Sequence, residues 1–390
     1  MSATAWRRSW PAGVVIAALA AAGCAGSPPQ PGAANRTAAR PASPAAARRA
    51  GPTARFCPGR PPGTLTAAMT RAVPESLRGE VVPLGISADG ATAYVSAWTR
   101  RFAGVAALSL ATGALHPIAR FGNRAADQAD GAWGGRWLVW AQTSSLSSLD
   151  GFTIFAWDSV TGRLVRLGRS LDSPAGPPWP SPWHAPAVSG DFAAWAQGYG
   201  PGGLVQIRLA DLRTGRVSVI ARGHVQAPFF DGGLLVWPAS GQPGALTRLH
   251  AYATAAGRPA PVPAVLRAVR GTDFVATDGT RTAYLDPDLT RLYYSPAPSQ
   301  VASVVLRARA GISFSNIGMA QGAIAWTTTR ATYLASTTTG GFVQVTPQFG
   351  FAVTDTGPDV LVSDAPARKA AHPRLALHVL DAAGIARGTC

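Results

Sequence analysis

Four polar residues recur at one position relative to the turns of this chain. His184, Gln226, Asp273 and Asn316 each stand about six residues before a turn that introduces an apolar, strand-like segment. If the segments are aligned on those turns, the four side chains form an arc across consecutive units. Such an arc could hydrogen-bond a ligand, or it could hold ordered water instead.

Three aromatic residues lie in loops next to this arc. Trp179 and Trp183 belong to the proline-rich segment SPAGPPWPSPWH, and Tyr199 belongs to GYGPGG. Prolines stiffen a loop, and aromatic faces beside polar groups suit sugar rings or peptide prolines. We therefore predict a site for cell-wall glycan or peptide here. The alternative is that the tryptophans only pack over the junction of two neighbouring units.

His184 and Asp273 are also the best candidates for a general acid and base, which is the enzyme alternative. The chain has no G-x-S-x-G, H-E-x-x-H or G-x-x-x-x-G-K-[ST] motif, and its six histidines are not at metal-ligand spacing. We predict no catalytic residues, no metal and no cofactor.

One segment, AWDSVTG at 156–162, resembles the docking repeat of quinone-cofactor dehydrogenases. Those enzymes carry a tryptophan four residues after the glycine, where this chain has Arg166. A similar D-x-x-T-G sequence recurs from Asp211 to Gly215. The segment is therefore predicted to be a hairpin turn and not a cofactor site.

The elements that must position these residues are short strands in a repeated unit of about 44 residues. A turn followed by an apolar run, which in most units ends in an aromatic residue, occurs seven times: DGATAY at 89–94, GGRWLVW at 134–140, SGDFAAW at 189–195, DGGLLVW at 231–237, DGTRTAY at 278–284, QGAIAW at 321–326 and TGPDVLV at 356–362. Most units continue with a second hairpin, often through a Thr-Gly turn. Two hairpins per unit predict one four-stranded antiparallel sheet.

Seven such units predict an all-β fold, a seven-bladed β-propeller over residues 80–390, with six or eight blades as alternatives. Trp140, Trp195, Trp237 and Trp326 are predicted to pack between blades. Over this range the chain resembles bacterial, actinobacterial-type propeller lipoproteins of the TolB-like and WD-repeat-like kind, through the turn motifs quoted above. The resemblance implies a fold and an envelope location, and it includes assembly of envelope partners as a possible role.

The N-terminus has the parts of an export signal. Arg7 and Arg8 precede an apolar run from Ala12 to Ala22, which is too short to span a bilayer. The sequence LAAAGC resembles a lipobox, in which Cys24 is lipidated after removal of residues 1–23; Ala21 stands where leucine is usual. Ordinary secretory cleavage at the same site is the alternative.

Residues 24–60 are rich in Ala, Pro and Arg and predict a disordered tether, followed by a short helical lead-in at 61–79. Half of the formal net charge of +16 lies in the first 60 residues, which contain no acidic residue. A basic tether is expected to lie against an anionic membrane or cell wall. No basic motif interleaved with aromatic residues accompanies the charge, so we predict no nucleic-acid partner.

Two cysteines remain once Cys24 is assigned to lipid. In an exported protein they are expected to pair, so we predict a Cys57–Cys390 disulfide that clamps the junction of the first and last blades. Taken together, the sequence predicts a monomeric, exported, lipid-anchored propeller that binds or scaffolds at the outer face of a bacterial membrane. A secreted propeller enzyme with its active site at the channel mouth is the alternative.

Overall fold

The computed structural model describes residues 55–63, 65, 80–99, 101–124, 127–143, 151–174, 176, 178–179, 185–242, 247–267, 269, 271–272, 274–297, 300, 302–346, 351–354, 359–363 and 377–390. Strands dominate this part of the chain. Apart from one short 3₁₀ helix, Ala264–Leu266, regular structure here is almost entirely antiparallel sheet. Within these ranges no helix is both long and apolar enough to cross a membrane.

The first strand, β1 (Cys57–Arg60), stands apart from the repeated units and joins the edge of a later sheet. The first two units follow it. Sheet 1 contains β2 (Glu80–Ile86), β3 (Thr92–Trp98), β4 (Ala103–Ser109) and β5 (Leu115–Arg120). Sheet 2 contains β6 (Gln128–Trp133), β7 (Trp137–Thr143), β8 (Phe152–Asp158) and β9 (Leu164–Arg169).

Two further units share a short stretch of pairing. Sheet 3 contains β10 (Ala187–Ser189), β11 (Phe192–Gly200), β12 (Leu204–Asp211) and β13 (Arg216–Val225). Sheet 4 contains β14 (Phe229–Asp231), β15 (Leu234–Ser240), β16 (Arg248–Ala253) and β17 (Arg258–Ala260). The end of β13 pairs with β15 through His224–Ser240 and Val225–Ala239, which joins the two sheets at one edge.

The remaining strands form three more groups. Sheet 5 contains β18 (Val275–Thr277), β19 (Thr282–Leu285), β20 (Arg291–Ser295) and β21 (Ser303–Arg307). Sheet 6 contains β22 (Phe314–Ala320), β23 (Ala323–Thr328), β24 (Thr332–Ser336) and β25 (Gly341–Thr346). Sheet 7 contains β26 (Phe351–Thr354), β27 (Asp359–Ser363) and β28 (Leu377–Asp381), and the chain ends with β29 (Ala386–Arg387).

The Thr-Gly turns adopt the conformation that the sequence predicts. Gly162 and Gly215 have φ values of 72° and 74°, a region that glycine enters without steric cost. At the second turn the carboxylate of Asp211 accepts hydrogen bonds from the backbone N–H groups of Arg213 and Thr214. The D-x-x-T-G sequence therefore closes a hairpin at each of its occurrences.

The predicted tryptophans are core residues. Trp140, Trp195, Trp237 and Trp326 have exposed fractions of 0%, 3%, 7% and 1%, and each belongs to a cluster of buried apolar side chains. These clusters contain residues of adjacent sheets. The prediction that the tryptophans pack between sheets is confirmed.

Sheets 1 and 7 meet through side chains. Val81, Ile86 and Ala93 of sheet 1 share one buried cluster with Leu361 and Leu377 of sheet 7. In the described ranges no strand is hydrogen-bonded to both sheets. Apolar packing therefore holds this junction.

The predicted disulfide joins Cys57 to Cys390, but it does not lie at that junction. Strand β1 pairs in parallel with β25, and β29 pairs antiparallel with β1, so both chain ends extend the edge of sheet 6. The expected position of the clamp is corrected accordingly. Strands β1 and β29 can approach this closely because residue 59 is glycine. A Cβ on Gly59 would lie 2.2 Å from the carbonyl oxygen of Ala386.

Two predicted segments lie largely outside the described residues. The last residues of the predicted tether, Cys57–Arg60, form strand β1, and Phe56 before them is buried against sheets 5 and 6. Residues 1–54, with the predicted signal peptide and Cys24, are not among those described. The lead-in at 61–79 is described only at residues 61–63 and 65, where Leu65 is buried.

Candidate functional site

The loops that the sequence singles out meet where sheet 2 packs against sheet 3. The loop from residue 170 to 186 follows β9, and the turn at 201–203 joins β11 to β12. A hydrogen bond links the two sheets at this end, because the side-chain amide of Gln197 donates to the carbonyl oxygen of Arg169 at 2.5 Å. We call this end of the two sheets the loop end.

One face of sheet 3 carries an unusual set of polar residues near the loop end. In the β11–β12 ladder Trp195 is opposite Arg208, and Gln197 is opposite Gln206. Residues directly opposite each other in an antiparallel pair project from the same face. Trp195 packs in a cluster with Val139 and Ile154 of sheet 2, so this face is the one that meets sheet 2.

Strand β13 adds a second arginine to the same face. Arg222 is opposite Gln206, two residue pairs closer to the loop end than Arg208. Its guanidinium lies over the ring of Tyr199, with 5.8 Å between the guanidinium carbon and the ring centroid. This distance is within the range of a cation–π contact. Tyr199 thus lies beside a cation at the outer edge of the site.

Arg208 is unusual for a residue in the middle of a strand. Its Nε atom is buried and has no hydrogen-bond partner, and burial together with the charge of Arg222 lowers the pKa of its guanidinium. No acidic residue in the described ranges pairs with it. The two guanidinium groups therefore create a local positive charge that the described residues leave uncompensated.

The indole of Trp195 supplies another unused donor beside Arg208. Its Nε1 atom is buried without a hydrogen-bond partner, although the residue is only 3% exposed. The ring packs beneath Gly168 of β9, where a Cβ would lie 3.2 Å from the indole Cζ2 atom. Trp195, Tyr199, Arg208 and Arg222 are called the Arg–Trp cluster below.

The structure describes four of the predicted site residues. Tyr199 belongs to the Arg–Trp cluster. Trp179 is half-buried in the adjoining loop, where its backbone N–H donates to the carbonyl oxygen of Leu171 at 2.9 Å. Gln226 is half-buried and Asn316 is exposed, and they belong to regions separated by sheet 5.

Trp183, His184 and Asp273 lie outside the described residues, so the polar arc and the acid–base pair stay predictions. In the described part of the chain, no group of three or more His, Cys, Asp or Glu side chains is placed to hold a metal ion.

The segment that resembles a quinone-docking repeat forms a turn between β8 and β9. Asp158 accepts hydrogen bonds from the Val160 backbone N–H at 3.0 Å and from the Thr161 hydroxyl at 2.9 Å. Arg136 pairs with the same carboxylate, at 2.9 Å from Nε and 2.6 Å from Nη2. The aspartate is therefore used for structure.

Sequence reasoning missed Arg208 and Arg222, although one signal for Arg208 was present. In β12, Val205, Ile207 and Leu209 alternate with Gln206, Arg208 and Ala210. A sheet packed on both sides leaves neither face to solvent, so the polar side of this alternation must also be buried. An arginine in the middle of such a strand indicates a special environment.

No protein-family model matches the chain, and no curated protein sequence matches it. Solved structures do match it. One of two prolyl endopeptidases aligns with a TM-score of 0.53 and 13% identity over 82% of this chain and 49% of its own. This chain thus spans about half the length of that protein.

Two other similar structures have lower scores. The β-propeller domain of the Trilobed protease from Pyrococcus furiosus aligns with a TM-score of 0.49 and 9% identity, over 81% of this chain and 97% of that domain. TolB from Acinetobacter baumannii aligns with a TM-score of 0.38 and 12% identity, over 79% of this chain and 65% of its own. At these identities the likeness concerns the fold alone.

The antiparallel four-stranded sheets and the match to the prolyl endopeptidase define the class of protein: the chain has an all-β propeller fold. The count of seven blades stays a prediction, since residues 364–376 and other gaps lie outside the described ranges.

Proposed function

We propose that this chain is a binding or scaffolding module that recognises peptidoglycan at the loop end of sheets 2 and 3. The part of peptidoglycan that it binds is the glycan or the peptide. The Arg–Trp cluster is the observation that carries the proposal. It places an aromatic ring, two guanidinium groups and an unused indole N–H beside the loop that contains Trp179. Buried polar groups without partners are uncommon in folded proteins and call for an explanation such as a ligand.

The proposed location is the outer face of the cell membrane. The export signal, the LAAAGC sequence and the basic residues before position 61 support anchoring through lipid on Cys24. A Cys24→Ser variant should then leave the membrane fraction and accumulate in soluble form outside the cell. Retention of the variant in the membrane fraction would contradict lipid anchoring.

Co-sedimentation with purified peptidoglycan sacculi tests the binding proposal. The full-length chain should sediment with sacculi, and the Trp179→Ala and Tyr199→Ala variants should bind about tenfold more weakly, because aromatic contact area is lost. Val160→Ala is the control, since Val160 is 74% exposed in the β8–β9 turn, at the opposite end of sheet 2.

Two results would reject the proposal. If the intact chain does not sediment with sacculi above its level without sacculi, peptidoglycan is not its partner. If both aromatic variants sediment as well as the intact chain does, the binding surface lies elsewhere. An envelope protein captured through another face of the propeller would then be the next candidate.

A further inference from the structure

We infer that the Arg–Trp cluster binds a carboxylate group, and that the ligand recognised at the loop end is therefore an acidic cell-wall fragment. This inference rests on the proposed function and adds the chemistry of the group that is bound. The groups that would bind the carboxylate are Trp195, Arg208 and Arg222, with Tyr199 at the edge.

The first step is that two buried hydrogen-bond donors on neighbouring strands lack acceptors here. Trp195 and Arg208 are opposite each other on β11 and β12, and the indole Nε1 of one and the guanidinium Nε of the other are both buried and unpartnered. Both groups can only donate. An acceptor that enters this space would meet two N–H groups from neighbouring strands of one sheet.

The second step is that the charge also lacks a partner. Arg222 lies on the same face, two residue pairs nearer the loop end, and its repulsion adds to burial in lowering the pKa of Arg208. The ion pair at the end of β9, Arg169 with Asp172, involves two largely exposed side chains and a different arginine. A bound anion would offset the repulsion between Arg208 and Arg222 and favour the charged form of the partly buried guanidinium.

The third step concerns the shape of the anion. The cluster borders the packed interface of sheets 2 and 3, with the indole of Trp195 held beneath Gly168. A carboxylate is flat, and its two oxygens match the fork of a guanidinium, while an adjacent N–H can serve one oxygen in addition. A phosphate is tetrahedral, more highly charged and bulkier, so we expect it to fit less well beside these closely packed sheets.

The position of the cluster suggests how the rest of a ligand would lie. Arg222 is exposed and stacks on Tyr199, whereas Arg208 is deeper between the sheets. A carboxylate on Arg208 and Trp195 would leave the attached sugar or peptide beside Tyr199. Peptidoglycan offers two sources of this group, the lactyl carboxylate of acidic sugars that carry no peptide and the carboxyl terminus of its peptide.

Calorimetric titration of the purified full-length chain tests the inference with small probes. N-acetylmuramic acid and D-alanyl-D-alanine represent the two sources of carboxylate. The methyl ester of N-acetylmuramic acid and N-acetylglucosamine are neutral comparisons, and glucose 1-phosphate is the phosphate comparison. At least one carboxylate probe should bind, and it should bind about tenfold or more tightly than the neutral and phosphate probes.

Three variants separate the contributions of the donors. Arg222→Ala, Arg208→Lys and Trp195→Phe should each weaken binding of the carboxylate probe about tenfold, because they remove a charge, the guanidinium fork and an indole N–H respectively. Arg216→Ala is the control, since Arg216 is an exposed arginine at the other end of strand β13. Circular dichroism should show all four variants folded, and the exposed Arg222 gives a variant that leaves the core untouched.

The outcomes distinguish this inference from the proposed function. Sacculi binding without any preference for free carboxylate over ester would overturn the inference and leave the function standing. Carboxylate binding without sacculi binding would reject peptidoglycan as the partner and leave the assignment of a carboxylate site standing. Tighter binding of the phosphate probe, or carboxylate affinity unchanged in all three variants, would also overturn the inference.

Discussion

Among single residues, two arginines in neighbouring sheets differ in whether they have an acidic partner: Arg136 of sheet 2 has one, and Arg208 of sheet 3 has none among the described residues. Arg136 of sheet 2 is neutralised by Asp158, and it also lies 5.2 Å from the ring of Trp137. Trp137 in turn donates its indole N–H to Asp191 of sheet 3 at 3.1 Å. Arg208 has a buried setting but no such acid. The contrast between the two arginines is what singles out the Arg–Trp cluster.

Asp158 gives a prediction at this scale. Hydrogen bonds from Arg136, together with those from the β8–β9 turn, hold the pKa of its carboxyl below the usual value, although burial opposes this shift. Asp158→Asn should lower the free energy of unfolding at pH 7 by about 1–2 kcal/mol, a modest figure because Arg136 is half-exposed and screened by solvent.

The pH dependence of this effect has a definite sign. A carboxyl whose pKa is lower in the folded state stabilises the fold above its unfolded pKa, and that stabilisation is lost as the pH falls. The difference between wild type and Asp158→Asn in urea unfolding should therefore be constant near neutrality and shrink below about pH 4. Asp172→Asn is the control and should have little effect, because its ion pair with Arg169 is exposed. A difference that grows on acidification would contradict this account.

At the scale of elements, the hairpins followed the sequence closely. Turn residues and short apolar runs predicted β3, β7, β11, β15, β19 and β23, and each of these strands lies within or overlaps its predicted segment. The reason is local: glycine at positive φ and an Asp or Thr cap determine where a chain can reverse. By contrast, β1 and β29 have no local signature, because their pairing partners are hundreds of residues away.

The disulfide links separate elements of the fold, because it ties β1 and the C-terminus to the edge of sheet 6. Replacing both cysteines, as Cys57→Ala with Cys390→Ala, should lower the free energy of unfolding by roughly 5 kcal/mol or less, because the bridge closes a very long loop in the unfolded chain. Urea unfolding with and without reductant measures the loss.

The double variant is also its own control, because a reductant should not change its unfolding midpoint. The intact domain should contain no titratable thiol at Cys57 or Cys390 before reduction. Two free thiols in the folded, unreduced domain, or equal stability of the reduced and oxidised forms, would contradict the role given to the bridge.

In the molecule as a whole, two kinds of contact hold the repeated sheets together. Apolar clusters join adjacent sheets, including sheets 1 and 7, and polar contacts reinforce some junctions, as between Thr277 and Asp231 at 3.0 Å. The exposed edge of β25 is covered by β1, which removes a row of unpaired backbone groups. Strands β1 and β29 therefore cover one outer edge of sheet 6.

The candidate site could be predicted only in part. The Pro-rich and Gly-rich loops directed attention to Tyr199 and Trp179, because aromatic residues in stiff loops are unusual in any sequence. Arg208 and Arg222 were not found, since their significance depends on the absence of a nearby acid, which is a property of three-dimensional space. A list of arginines along the chain does not distinguish them from Arg136 or Arg216.

Four features follow from the amino-acid sequence alone: the all-β class, the repeated hairpins, the burial of the tryptophans and the pairing of Cys57 with Cys390. These features depend on local backbone chemistry, on hydrophobic alternation and on the number of available cysteines. Two other features became visible only in the folded chain: the bridge lies on the edge of sheet 6, and two arginines and an indole share one face between sheets 2 and 3. Register across strands and packing between sheets place these groups together, and neither can be read from spacing along the chain.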